Sequence, residues 1–184
     1  DKITLIETDV SFGPRTQIVC DAHSLPFSDS SLDGIIAQAV LEHVADPYKC
    51  VSEIYRVLKP GGLVYSEVPF MQQVHMGRYD FTRFTDLGQR RLFRNFEEIE
   101  RGIAGGPASA LAWSLRYFLM SFTDSHLIKK VLSALSAFTL FWVKYLDFYL
   151  IKNNSSNDAA SGFYFLGRKS DKIISDVEII SLYK

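Results

Sequence analysis

The chain has 184 residues, 47% hydrophobic and 22% charged, enough apolar material for one domain with a buried core. Twenty basic side chains against twenty-one acidic ones give a net charge of -1, which argues against a general nucleic-acid-binding surface. The two cysteines, Cys20 and Cys50, fall where a strand and the apolar face of a helix are expected. They read as free core thiols rather than a disulfide or metal pair, so a reducing, cytoplasmic setting is the expectation.

In chain order, Lys2 to Asp9 (KITLIETD) reads as a strand that ends in acid. Only VSFGPRT separates it from the next strand, Gln17 to Cys20, and Gly13-Pro14 makes a turn there, so a loop rather than a helix joins them. That second strand stops at Asp21. Leu25, Pro26 and Phe27 form an apolar wall. The short apolar run Gly34 to Ala37, flanked by Asp33 and Gln38, has the pattern of a strand buried on both faces. Gln38 to Val44 then ends the strand and enters a short helix.

Asp46 followed by Pro47 marks a helix start, because the Asp side chain can accept free amides of the first turn and Pro needs no partner there. Cys50, Val51, Ile54, Tyr55 and Leu58 recur on one helical face, opposite Ser52, Glu53 and Arg56. Pro60, Gly61 and Gly62 end this helix and lead into a strand from Leu63 to Val68. A loop runs from Pro69 to Phe81; Thr85 and Asp86 start a helix through Phe93, and Phe96 to Ile103 reads as a strand.

Gly105-Gly106-Pro107 is a boundary. Residues 108–122 and 126–151 are strongly apolar and aromatic, close to the ~20 residues of a membrane span. In the second stretch Leu127, Ile128, Val131, Leu135, Phe138, Trp142 and Tyr145 make one stripe, with Lys129, Lys130, Lys144 and Asp147 opposite. Charges such as Lys144 and Asp147 are costly in a bilayer, so the expectation is an amphipathic helical hairpin packed through its stripe. Two roles are open for it: a lid over a substrate site, or a membrane-surface element. A polar linker, 153–161, leads to a last strand, Ser161 to Arg168.

The segment LPFSDSSLDGIIAQAVLEHVADP, followed by EIYRVLKPGG, resembles the second half of a class I S-adenosylmethionine-dependent methyltransferase domain, type 11. The resemblance implies a Rossmann-like α/β sheet with helices on both faces, and a domain plan of core (1–106), helical insertion (107–160), final strand (161–169) and tail (170–184). It also implies N-terminal truncation, because the family's first strand and Gly-rich turn are not found in this sequence. The implied cofactor is S-adenosyl-L-methionine. Its ribose hydroxyls would be held by Asp9, or second by Glu7, since a carboxylate accepts two hydrogen bonds from a vicinal diol. Asp21 would approach the adenine amino group and the Ala22 amide a ring nitrogen, with His23 beside them; Gln38 and Ala39 would line the methionine portion.

Some small-molecule methyltransferases carry a Glu three residues before a Glu-His pair and bind a divalent metal. Here Ala39 stands three residues before Glu42-His43, so no metal is expected. His75 is the first candidate for a general base and Asp80 the second, should the acceptor be a hydroxyl; a structural pair between Asp80 and Arg83 is the plain alternative. The implied activity is methyl transfer to a small-molecule or lipid-linked acceptor. A non-catalytic or truncated module that binds a partner without turnover is the competing reading.

Overall fold

The computed structural model describes residues 3–183, so Lys2, at the start of the expected first strand, and Lys184, at the end of the tail, lie outside the described residues. The strands are β1 (Thr8–Asp9), β2 (Ile18–Val19), β3 (Leu32–Gln38), β4 (Leu58–Pro69), β5 (Phe96–Gly105) and β6 (Gly162–Lys169). The helices are α1 (Pro47–Val57), α2 (Asp86–Leu92), α3 (Pro107–Met120), α4 (His126–Leu140), α5 (Asp147–Leu150) and α6 (Asp176–Ile180). They form an α/β architecture with two sheets: a parallel ribbon β1-β2, and a mixed sheet in the order β3-β4-β6-β5. β3 and β4 are parallel; β6 runs antiparallel to both β4 and β5.

Helix α1 starts where Asp46-Pro47 predicts, with the Asp46 carboxylate accepting from the Lys49 amide at 3.0 Å. Its buried face is Cys50, Val51, Ile54 and Val57. Cys50, Val51 and Ile54 of this face, with Phe84, Leu92 and Phe93, pack on Ala37, Val64, Val68, Phe96 and Phe165 of the sheet. The Pro-Gly-Gly segment is part of β4, as a bulge: Leu32 pairs with Leu58, but Gly34 already pairs with Leu63. Gly61 adopts φ +76, and a Cβ on Gly62 would lie 2.9 Å from the Lys59 carbonyl oxygen, so both glycines are required by the backbone itself.

Four expectations change. The short helix expected within Gln38 to Val44 is instead a series of turns and bends over 39–45. The first two strands shrink to two residues each, because the ribbon pairs only with itself and leaves Val19 more than half exposed. β3 is not buried on both faces: Ala37 faces the core, but Ile36 on the opposite face is 69% exposed. The stripe of α4 points outward. Phe138 is 78% and Leu127 72% exposed, whereas Ser136 is buried. α4 lies on α3 with Arg116 donating to the Ser133 hydroxyl, and a cavity of about 320 Å3 lined by Trp113, Arg116, Ser136 and Phe141 lies between the two helices.

Candidate functional site

The carboxyl ends of the parallel strands bring several expected residues to one edge. Asp9 ends β1, and Asp21 lies just past its partner β2. The Cys20 amide donates to the Asp9 carbonyl at 2.9 Å, continuing that pairing. His23 ties this edge to the start of α1: its Nε2 accepts from the Asp46 amide at 3.1 Å, which leaves the ring proton on Nδ1, 2.6 Å from the Asp21 carboxylate.

Both acids are held ionised by local donors. The Ser11 amide and hydroxyl reach Asp9 Oδ1, each at 2.8 Å, and the Ser11 amide lowers the Asp9 pKa. The His23 amide, at 2.9 Å, does the same for Asp21. Among the described residues neither acid receives a hydrogen bond on Oδ2. Each therefore retains a free acceptor at the edge. Glu7 is placed differently: its carboxylate pairs with Arg15 at 3.0 Å.

Beyond β3 the chain turns sharply. Ala39 takes a left-handed φ of 52, uncommon for a residue with a Cβ, and its amide donates to the Glu67 carbonyl at 3.1 Å. Gln38 donates to the Glu67 carboxylate at 2.9 Å, and the Tyr65 hydroxyl donates to its other oxygen, a bond that pushes the Tyr65 pKa up to about 12.

Ala39, Glu42, Glu67, Gln72, His75 and Gly105 line a cavity of about 200 Å3. The Glu42 side chain is 1% exposed, and burial raises its pKa, opposed by His43, His75 and Arg83. The Glu42 carbonyl accepts from the Phe81 and Thr82 amides at 2.8 and 3.3 Å, and the His43 Nδ1 lies 2.8 Å from the Tyr79 carbonyl oxygen. The turn after β3 and the end of the 69–81 loop are thereby joined.

Asp80 lies in that loop with both carboxylate oxygens taken by Arg83, the Oδ2 bond being 2.7 Å. These bonds hold its carboxyl far below the ordinary range. It also accepts from the His75 amide at 2.9 Å. An acid so held is a poor proton acceptor near neutrality, and the geometry gives it the task of fixing His75. The His75 ring faces inward, with Nε2 3.9 Å from Glu42 Oε1.

Glu67 and the depth of Glu42 were not assigned from the sequence. A lone carboxylate in the otherwise apolar end of a buried strand, SEVP, was the available signal for Glu67. No local pattern indicates that His75 meets Glu42.

Residues 5–66 match the protein family described as "Methyltransferase domain". Over 44 residues the chain is 46% identical to a ubiquinone/menaquinone biosynthesis C-methyltransferase, UbiE, of Desulfotalea psychrophila, a stretch covering 24% of this chain and 18% of that protein. It is also 46% identical over 44 residues to cycloartenol-C-24-methyltransferase 1 of Oryza sativa, covering 24% of this chain and 13% of that one. The matched stretch thus spans less than a fifth of these relatives. The fold resembles that of the [4+2]-cyclase SpnF (TM-score 0.50, 20% identity, 85% of this chain and 56% of that one). It equally resembles 1,6-didemethyltoxoflavin-N1-methyltransferase of Burkholderia thailandensis, solved with 1,6-didemethyltoxoflavin and S-adenosylhomocysteine (TM-score 0.50, 12% identity, 89% and 60%).

Proposed function

We propose that the chain, whose residues 5–66 match the family described as "Methyltransferase domain", takes part in S-adenosylmethionine-dependent methyl transfer to a small or lipid-linked acceptor. The observation that carries this reading is the pair of carboxylates at successive parallel strand ends, each with one acceptor oxygen free. Such a pair fits adenosine: Asp9 Oδ2 can accept from the ribose diol and Asp21 Oδ2 from the exocyclic amine. Gln38 ends β3, and Ala39 after it lines the cavity in which an acceptor would meet the methyl group.

When bound, the cofactor supplies a methyl group already activated on a sulfonium, so the protein's work is alignment and the management of one proton. Glu42 and His75 line that cavity, with His43 beside Glu42, and are the groups able to take or stabilise a proton from an acceptor hydroxyl. The Asp80–Arg83 pair holds the His75 backbone in place. A lipid-linked acceptor is favoured by the outward apolar stripe of α4, which lies on α3; α3 in turn bonds the 69–81 loop through Gln73–Ser114 and Tyr117–Val74.

Isothermal titration of the chain with S-adenosylhomocysteine tests the cofactor half. The expected result is saturable heat, reduced about tenfold or more in affinity by Asp9→Asn and by Asp21→Asn, each removing a charge-assisted hydrogen bond. Absence of heat favours the second reading, a module that binds a partner without turnover. That reading draws on one observation: the ribbon bearing Asp9 and Asp21 shares no backbone ladder with the sheet bearing Gln38.

A further inference from the structure

The geometry points to a divalent transition-metal site formed by Glu42, His43 and His75, opening into the cavity beside β4. The three side chains come from two separate segments, the turn after β3 and the loop after β4, and their ligand atoms lie within 4.8 Å of one another. His43 Nε2 is 3.7 Å and His75 Nε2 3.9 Å from the same oxygen, Glu42 Oε1. Both separations are too long for hydrogen bonds. They are close to the roughly 3.4 Å between ligands that each lie about 2.1 Å from one tetrahedral ion.

The ring orientations suit ligation. His43 Nδ1 lies 2.8 Å and His75 Nδ1 3.3 Å from backbone carbonyl oxygens, of Tyr79 and Gln73. A carbonyl can only accept, so these contacts place the ring protons on Nδ1 and leave lone pairs on both Nε2 atoms. Such outer hydrogen bonds are the usual means of fixing a metal-binding imidazole. The rings meet edge to face, with centroids 4.9 Å apart.

A second, independent observation comes from Glu42. Its side chain is 1% exposed, and among the described residues its Oε2 has no hydrogen-bond partner. Two imidazole lone pairs and a buried carboxylate converge with no donor between them. A cation is what that arrangement lacks. Two imidazoles and one carboxylate suit Zn2+, Co2+ or Fe2+ rather than the all-oxygen shells of Ca2+ and Mg2+. Ala39 supplies no ligand, so the third comes from His75 instead, and both Glu42 and His75 line the cavity.

The use of such an ion rests on the methyl-transfer reading. It would hold an oxygen of the acceptor and lower that oxygen's pKa, so that its proton passes to water as the methyl arrives, with His75 then serving as a ligand and not as the base.

The test needs no methyl donor, so its outcome is separate from that of the S-adenosylhomocysteine titration. The chain, freed of metal with a chelator, is titrated with Zn2+ by calorimetry and with Co2+ by visible absorption. One site per chain is expected, with the d–d absorption of a low-coordinate Co2+ ion. Glu42→Gln, which keeps the side chain's shape, and His75→Ala, at a partly exposed position, are each expected to lose more than about 100-fold in affinity, beyond the cost of losing an outer partner. His126→Ala, on α4, is expected to bind as the parent does. Circular dichroism establishes that each variant is folded, with His75→Gln held as a second substitution. No Zn2+ or Co2+ binding by the parent, unchanged binding in folded Glu42→Gln and His75 variants, or loss in His126→Ala would each overturn the assignment.

Discussion

Asp80 shows how much one side chain can constrain. Its side chain is 1% exposed and that of Arg83 23%, and two guanidinium nitrogens bond the carboxylate directly. Asp80→Asn leaves Arg83 half-buried with its charge uncompensated. A loss of about 2–3 kcal/mol in urea unfolding at pH 7 is expected, toward the lower end for a broken buried pair because Arg83 retains some water. The folded-state pKa of Asp80 is depressed, so its contribution is fully present above the ordinary carboxylate value of 3.8 and is lost as pH falls below it. The gap between parent and variant should therefore be constant near neutrality and close in acid; a gap that widens in acid would refute this account. The pairing of Asp80 with Arg83 was legible in the sequence because opposite charges stand three residues apart in one segment, whereas the meeting of His75 with Glu42 depends on how two loops fold together. Cys50 was equally legible: its place on the apolar face of α1 buries the thiol and pushes its pKa up to about 12, which makes it unreactive.

At the scale of elements, helix starts were the most readable feature, since Asp46 and Thr85 each cap the amides that follow; Ser175 caps α6 in the same way, in a tail whose sequence does not single out a helix. Helix α3 departs from that pattern. Its cap arrives from a distant segment: Asp147 of α5 accepts from the Ala108 amide at 2.8 Å, the Ser109 amide at 3.0 Å and the Ser109 hydroxyl at 2.6 Å. A Cβ on Gly106 would lie 2.3 Å from Asp147 Oδ1, so this glycine is the space in which the carboxylate sits. Sequence alone presents Asp147 as a charge on a helical face and gives no hint of this partner. Asp147→Ala is expected to cost about 1–2 kcal/mol, the range of a lost N-cap. Amide exchange in the first turn of α3 should accelerate, while α1 stays protected. Equal loss of protection in both helices would mean that Asp147 supports the whole fold rather than one junction.

For the molecule as a whole, the fold class was readable because alternating strands and helices leave few architectures open. The facing of α4 was not. Periodicity reveals that a stripe exists, not whether protein, lipid or water lies against it. Residues 126–150 are long and apolar enough to cross a membrane by length and composition, and Trp142, Tyr145 and Tyr149 stand exposed beside Lys144 and Lys152. Aromatic rings among lysines suit an anionic lipid surface. The chain is expected to sediment with vesicles containing phosphatidylserine, and Phe138→Ser/Trp142→Ser should cut the bound fraction severalfold. A chain that stays in the supernatant with such vesicles removes the lipid-surface role. One further consequence follows from the double acceptance at the Glu42 carbonyl and the tie from His43 to Tyr79. The two segments that carry Glu42 and His75 are thus tied by these bonds into one piece, so those two lining residues keep their separation when a ligand enters the cavity.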